Sequence, residues 1–367
     1  MFIRAVAAAF AVLAATPAIA LQTAQGTVSV ERMIDGLEEP WAIDFLPDGS
    51  TIITERDGRV LHATADGQVQ PISGVPAVVA EGQGGLLDVL VPRDFADTRE
   101  LLFTLSAPQS GGSGTALISA TLNDAGDALE GVQTLFEMAP GSRGGRHFGS
   151  RIVEAPDGRI FLTIGDRGDR PSAQDLSVHN GSVIRVKRDG SVHEDNQFVG
   201  EAHALTEIWS YGHRHPQGAA LDASGQLWVH EHGAAGGDEV NRVTVGANYG
   251  WPVISYGTHY SGARIGEGTS KPGMEQPAFY WDPSIAPSGM MIYSGEVFPE
   301  WQGDIFAGSL KFGLISRLEI DGNDVREVER IEGPETSRVR DIVEGPDGAI
   351  WWLSVGEGAA YRMTPGS

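Results

Sequence analysis

Short apolar runs of four or five residues alternate along the chain with tight polar turns, and one phrase keeps returning. Leu46-Pro47-Asp48-Gly49 runs into Thr51-Ile52-Ile53-Thr54, and Ala155-Pro156-Asp157-Gly158 into Ile160-Phe161-Leu162-Thr163. Asp222-Ala223-Ser224-Gly225 runs into Leu227-Trp228-Val229-His230, and Gly345-Pro346-Asp347-Gly348 into Ile350-Trp351-Trp352-Leu353. Pro and Asp preset such a turn, Gly relieves its strain, and the apolar run that follows reads as a strand. Weaker copies lie at Asp97–Glu100 before Leu101-Leu102-Phe103-Thr104 and at Gln302–Asp304 before Ile305-Phe306-Ala307. Together they make six units starting near residues 49, 100, 158, 225, 303 and 348, with a mean spacing of about 60 residues. Helical periodicity over long stretches is absent, which argues against α/β barrels and doubly wound folds. The pattern predicts an all-β, six-bladed β-propeller with four-stranded antiparallel blades. Residues 21–367 form one closed ring, in which the early strand around Thr27–Met33 completes the last blade and pairs an otherwise bare sheet edge.

The first twenty residues stand outside this pattern. Arg4 is their only charge, Ala5 to Ala15 is almost wholly apolar, and Ala18-Ile19-Ala20 supplies small residues ahead of Leu21. This is the order of a cleaved secretory signal peptide, and the run is shorter than the ~20 residues of a membrane span. No later stretch is apolar enough to cross a bilayer, so the mature protein is expected to be soluble, without membrane insertion, in the periplasm or secreted. The 367 residues are 41% hydrophobic and 20% charged, as in folded globular proteins. A net charge of −23, one unit more negative once Arg4 is cleaved off, repels nucleic acid and makes nucleic-acid binding a poor expectation. With no cysteine, the chain has no disulfide, thiolate zinc site, iron–sulfur cluster or cysteine nucleophile.

Candidate chemistry lies in the loops. His147, in Arg146-His147-Phe148-Gly149-Ser150-Arg151, is a candidate general base, because histidine accepts a proton near neutrality. In Gly212-His213-Arg214-His215-Pro216-Gln217-Gly218, Arg214 offers the fork suited to a planar carboxylate. Glu231-His232-Gly233-Ala234-Ala235-Gly236-Gly237-Asp238-Glu239, followed by Asn248-Tyr249-Gly250-Trp251-Pro252, offers backbone carbonyls and carboxylates of the kind calcium takes. Lys311 is one of only three lysines. Alternation along an extended segment would send Arg338 and Arg340 to the same side. Each also has a plainer reading as a solvated or hydrogen-bonded surface residue. Cations in separate units of an acidic chain nevertheless suggest a planar ligand with several carboxylates.

These blocks resemble the soluble PQQ-dependent aldose and glucose dehydrogenases, the glucose/sorbosone dehydrogenase family, over nearly the whole mature chain. The resemblance is carried by Gly82-Gln83-Gly84-Gly85-Leu86-Leu87, His147–Arg151, Gly212–Gly218, Glu231–Glu239, Asn248–Pro252, Pro283–Ser288, Ser309-Leu310-Lys311 and Arg338–Asp341, in that order. It implies a six-bladed propeller that oxidises aldose sugars at the anomeric carbon to lactones, with pyrroloquinoline quinone (PQQ) and Ca2+ as cofactors. By the same resemblance His147 is the base, and Gln83, Arg214, Gln217, Lys311, Arg338 and Arg340 hold the cofactor. Trp281 lies near the position of a cofactor-stacking aromatic. Gly233 and Ala234 match backbone ligands of a catalytic calcium, while Glu239 and Tyr249 match ligands of a structural one. Three positions depart from the glucose-specific members: Arg146 stands where an aspartate is expected, His215 for asparagine and Ala234 for proline. Around Arg146 and His147 the pattern is closer to the aldose branch. The expected partner is a small-molecule sugar; the electron acceptor and the choice between monomer and homodimer stay open. Two other readings compete. His213 with His215 and His230 with His232 fit i, i+2 ligand pairs of a metal-dependent lactonase-type hydrolase, and a non-catalytic binding propeller would need none of these loops.

Overall fold

The computed structural model describes residues 19–65 and 67–366, and the leader expected over residues 1–20 falls outside them apart from Ile19 and Ala20. Six antiparallel sheets follow one another around a central channel. Blade one comprises Pro40–Phe45, Thr51–Glu55, Arg59–Ala63 and Val69–Ile72, and blade two Leu86–Leu90, Glu100–Gln109, Gly112–Leu122 and Leu129–Glu137. Blade three is Gly149–Glu154, Ile160–Ile164, Ser182–Val186 and Ile208–Tyr211; blade four is Pro216–Leu221, Leu227–Glu231, Asp238–Arg242 and Phe279–Trp281. Blade five holds Pro287–Ile292, Ile305–Ser309, Leu314–Asp321 and Asp324–Glu332. Blade six takes Val339–Glu344, Ile350–Ser354 and Ala359–Pro365 from the C-terminus, then Gly26–Ile34, with Ile19–Thr23 beyond it. The early strand therefore closes the ring as expected, pairing Val30 with Met363.

Each recurring phrase is the turn into the second strand of a blade. Those strands are buried on both faces, which is why they read as unbroken apolar runs rather than alternating ones. Six hydrophobic clusters fill the six interfaces between neighbouring blades. Trp41 and Ile52 of blade one meet Leu86 and Phe103 of blade two, and Phe306 of blade five meets Ile342 and Trp352 of blade six.

Hydroxyls at one repeated position stitch the first blades together. Thr54 accepts from Ala42 N–H in its own blade (3.1 Å) and donates to Leu87 O of the next (2.5 Å). Thr104 repeats this between Asp88 N–H (2.9 Å) and Ser150 O (2.8 Å), and Thr163 between Arg151 N–H (3.0 Å) and Pro216 O (3.3 Å). The channel itself is plugged by Arg151. Its guanidinium reaches Asp88 of blade two (2.6 Å) and Asp341 of blade six (3.0 Å), and lies 4.7 Å over the Trp41 ring of blade one. Burial raises the pKa of Asp88 and of Asp341 against the pull of Arg151, and lifts Asp44 in the same channel to about 7.

Candidate functional site

All six innermost strands begin at the same mouth of the channel, and every one of them starts with a break in register. The breaks fall between Pro40 and Ala42, Leu86 and Val89, Gly149 and Ile152, Pro216 and Gly218, Ser288 and Met290, and Val339 and Asp341. A bulge takes residues out of the ladder and re-aims their side chains. In four blades a non-glycine residue with positive φ stands just ahead: Glu39 (50°), His147 (54°), Ala286 (52°) and Arg338 (53°). Polar residues from six sequence regions thus converge on one opening.

Beneath the opening lies a cavity of about 280 Å3, lined among others by Gln83, Arg56, His215, Gln217, Arg338 and Arg340. A recess of about 610 Å3 adjoins it through His232, Leu310 and Arg338, and is lined by Gly233, Ala234, Lys311 and Tyr260. Arg340 donates to Gln217 Oε1 (3.0 Å) and Ser288 Oγ (3.3 Å), while Gln217 Nε2 donates to Gly149 O (3.1 Å). Burial, Arg338 and Arg151 together depress Arg340 to about 10. Arg338 is exposed and donates to Leu310 O (3.1 Å). The two arginines do share a cavity, but the left-handed residue and the bulge bring them there rather than strand alternation. Arg214 is buried, donates to His232 O (3.2 Å) and leaves its Nε without a partner. Lys311 is exposed, with its ammonium 5.0 Å from the Phe312 ring. None of these four cations pairs with a protein carboxylate among the described residues. Arg56, absent from the expected set, lines the same cavity and is paired with Glu39.

His147 sits at the edge of the cavity, its ring stacked at 4.9 Å on that of His215. Its backbone N–H donates to Gln83 Oε1 (2.6 Å). The side chain's partner is Asp166, whose Oδ1 lies 2.6 Å from Nδ1; the other carboxylate oxygen accepts from Trp251 Nε1 (2.8 Å). An ionised Asp166 fixes the proton on Nδ1 and leaves Nε2 as the acceptor. Burial lowers the pKa of His147, Asp166 opposes this, and Arg214 and Arg146 add to it. Burial pushes Asp166 upward, yet His147, Gly168 N–H and Trp251 outweigh it and hold the carboxyl below its usual range. Sequence reading missed Asp166. The aspartate expected beside His147 is replaced in sequence by Arg146, whereas the structure supplies a carboxylate from the loop after the second strand of the same blade.

The Gly233–Glu239 loop runs beside the recess. Gly233 N–H donates to Asp238 Oδ1 (2.8 Å), and Asp238 Oδ2 accepts from Ser284 Oγ (2.7 Å) and Ala286 N–H (2.9 Å). Glu239, Glu231, Tyr249 and the Gly212 and Gly233 backbone enclose a void of about 10 Å3, the size of one water-sized particle. Burial and the neighbouring Glu231 carboxylate raise Glu239 well above the usual range. The Tyr249 hydroxyl is already engaged, donating to Arg242 O (2.6 Å) and accepting from Thr244 N–H (2.9 Å). Among the described residues no group of three or more His, Cys, Asp or Glu side chains is arranged around a metal position.

Trp281 is not at the mouth. It is 2% exposed in the cluster between blades four and five, with its indole N–H directed at Ser316 Oγ (3.3 Å) and Glu327 Oε1 (3.2 Å). It has been drawn inward because the last strand of blade four must bury one face, so the stacking role expected of it is corrected. Three of the four histidines of the hydrolase reading are engaged with protein groups: His213 lies between Ser210 Oγ and Glu231, His230 meets Gly289 O (2.9 Å), and His232 meets Pro287 O (2.7 Å), while His215 stacks on His147 with its Nδ1 unpartnered among the described residues.

Comparison with known proteins follows the same lines. Residues 37–362 match the family model for glucose/sorbosone dehydrogenase. The chain is 42% identical over 353 residues to the aldose sugar dehydrogenase YliI of Escherichia coli K12, covering 94% of this chain and 95% of that one. It is 25% identical over 443 residues to quinoprotein glucose dehydrogenase B of Acinetobacter calcoaceticus, covering 98% and 92%. The crystal structure of the soluble E. coli aldose sugar dehydrogenase in its apo form superimposes with a TM-score of 0.89 at 40% identity, over 92% of this chain and all of the other.

Proposed function

The chain belongs to the glucose/sorbosone dehydrogenase family, and from that premise we propose that it oxidises aldoses at the anomeric carbon to lactones, with PQQ and calcium as cofactors and His147 as general base. One observation carries the proposal. Arg214, Lys311, Arg338 and Arg340, from blades four, five and six, lie around adjoining cavities beside His147, and none pairs with a carboxylate among the described residues. The site fits a carboxylated planar cofactor on its own terms. Arg214 Nε and His215 Nδ1 are buried without partners among the described residues, and the buried Arg340 guanidinium has Arg338 and Arg151 as charged neighbours, which an anion would offset. The quinoprotein named among the relatives supports the same cofactor class.

When bound, PQQ supplies the acceptor for a hydride from the sugar and calcium polarises its quinone. Lys311, Arg338 and Arg340 hold the carboxylates, with Gln217 fixing the Arg340 guanidinium. Gly233 and Ala234 offer backbone oxygens to the calcium. A second, structural calcium fits the Glu239–Tyr249 void, where a divalent cation would relieve the Glu231–Glu239 repulsion. His147 Nε2 takes the proton of the anomeric hydroxyl, and Asp166 stabilises the imidazolium that results. Gln83 keeps the His147 backbone in its strained conformation. We extend the proposal to export through the leader: cleavage after Ala20 leaves Leu21, the buried residue of the first strand, in place. Among the described residues no helix is long and apolar enough to cross a membrane.

The test is reconstitution. Purified apo-protein is given PQQ, calcium or both, and reduction of an artificial dye is followed with a panel of aldoses. Reduction that requires both additions supports the proposal, and sugar-dependent reduction without PQQ refutes it. His147→Ala should bind PQQ, read by tryptophan fluorescence quenching, and lose turnover.

A further inference from the structure

We propose that the mouth selects anionic aldoses, sugars bearing a carboxylate or a phosphate away from the anomeric carbon; this rests on the dehydrogenase reading above and names the substrate class of that site. The argument begins with two guanidiniums that the cofactor cavities do not use. Arg146 directly precedes the base, and its side chain lies against Gly168, where any Cβ would collide with it. Its carbonyl is held by Arg167. Arg170 is fixed from two sides, lying 5.6 Å over the Trp251 ring and donating to His259 Nδ1 (2.9 Å). Neither lines the cavity or its recess. Arg170 is held in place, Arg146 is exposed, and neither pairs with a carboxylate among the described residues.

In a chain of net charge −23 several surface arginines find acids, Arg326 with Glu319, Arg330 with Glu327 and Arg362 with Asp347, while Arg93, Arg242 and Arg264 are satisfied by backbone or amide oxygens. At the mouth, like charges are gathered instead. Arg146 is the chain neighbour of His147, and Arg170 and Arg214 lie 5.6 and 5.3 Å over the same Trp251 ring, whose N–H donates to the Asp166 carboxylate that orients His147. A cluster of cations left over after the cofactor's carboxylates are held is self-repulsive until another anion arrives. The remaining anion is then the substrate's. A sugar whose anomeric hydroxyl meets His147 brings the rest of its ring into the field of these two guanidiniums.

The neighbouring side chain suits such a ring. Tyr260 follows His259 in the turn that Arg170 anchors, and its hydroxyl meets Arg214. At 79% it is the most exposed large apolar side chain among the described residues, and it lines the recess beside Lys311. Asp282 also lines this recess, so the aromatic face is flanked by Lys311 and Arg338 and by one acid, a net cationic setting that matches a pyranose carrying a negative group.

The experiment compares D-glucose, D-glucuronate and D-glucose 6-phosphate as substrates of the PQQ- and calcium-loaded enzyme. It is run at pH 8, where His147 is neutral with or without its cationic neighbours. At low ionic strength kcat/KM should be higher for one or both anionic sugars than for glucose, and the larger preference identifies the group. Salt at about 0.5 M should erode the preference, since the Debye length then shrinks to a few ångströms. The double variant Arg146→Gln/Arg170→Gln should lose about tenfold on the preferred anionic sugar, keep glucose within about twofold, and leave PQQ affinity by fluorescence unchanged. A wild-type enzyme that favours glucose overturns the inference, as does a double variant that loses equally on all three sugars. If glucose is turned over and the anionic sugars are not preferred, this inference alone fails. If no sugar is turned over with both cofactors present, the dehydrogenase reading fails and takes this one with it.

Discussion

Replacing Arg151 by methionine should destabilise the propeller strongly at alkaline pH and weakly at acid pH. The guanidinium is the only cation paired with Asp88 and Asp341 among the described residues, and both carboxylates are about 2% exposed. Removing one partner of a buried ion pair leaves uncompensated charge and costs about 3–5 kcal/mol. For a chain of this length the entropy of unfolding is about 0.75 kcal/mol per degree, so Tm should fall by roughly 4–7 °C near pH 8.5. The pH dependence has a definite sign. Folded-state pKa values of Asp44, Asp88 and Asp341 already lie above their unfolded values, with Asp44 at about 7. Such groups contribute stability below the unfolded pKa of about 4 and lose it as pH rises through the folded one. Without Arg151 the carboxyls of Asp88 and Asp341 move higher still. At pH 5 they are protonated in the folded variant, and little of the penalty remains. Differential scanning calorimetry at pH 5 and pH 8.5 measures both halves of the claim. Adding Asp88→Asn to the variant should recover part of the loss at pH 8.5, because it removes one of the stranded charges. A Tm loss that is the same at both pH values, or no recovery in the double variant, would refute the reasoning.

Two further outcomes follow from other contacts. Asp166→Asn should lower kcat about 100-fold while leaving PQQ affinity unchanged, since it removes the group that orients His147 rather than one that holds the cofactor. Loss of the carboxylate also removes an influence that raises the His147 pKa, so the acid limb of the kcat/KM profile should move to lower pH; movement to higher pH contradicts the assignment. Thr104→Val should cost about 2–3 kcal/mol in urea unfolding, because Asp88 N–H and Ser150 O are both left buried without their partner; a cost below about 0.5 kcal/mol would show that the inter-blade stitch is dispensable.

How much of this was legible in the sequence depends on whether a feature is local. The six blades were readable because each second strand is buried on both faces and follows a turn of fixed chemistry, so a few residues such as Pro156-Asp157-Gly158 and Ile160-Phe161-Leu162 carry the whole signal. Closure by the early strand was readable because a lone strand far from any partner has few places to go. Asp166 was not readable. It is separated from His147 by the first two strands of its blade and the turn between them, and nothing in Gly165-Asp166-Arg167 distinguishes it from a surface acid until the hairpin folds back. Arg151 was visible only as the end of a glycine-rich block, since its partners come from blades two and six. Trp281 failed for the opposite reason: its position in the chain is near the recess, but its face of the strand is not.

The six register breaks explain why the site's residues are scattered in sequence and gathered in space. A regular inner strand would alternate its side chains between the two neighbouring blade interfaces and give the channel only backbone edges. Breaking the ladder at the first residues of each strand frees those side chains to point at the mouth, and leaves backbone groups that need partners. In the first three blades Thr54, Thr104 and Thr163 supply the partners, so the irregularity that carries the chemistry is held by the same hydroxyls that join the blades. In blade four the equivalent position is His230, which reaches Gly289 O through its ring; in blade five it is Gly308, and the bond to the next blade comes instead from Ser288 Oγ on the first strand, which donates to Arg340 O of blade six. This last bond ties the backbone of a cavity-lining arginine to the neighbouring blade. Ring closure and placement of Arg340 are therefore a single structural requirement, and blade six, assembled from both ends of the chain, can present its arginines correctly only once the ring has closed.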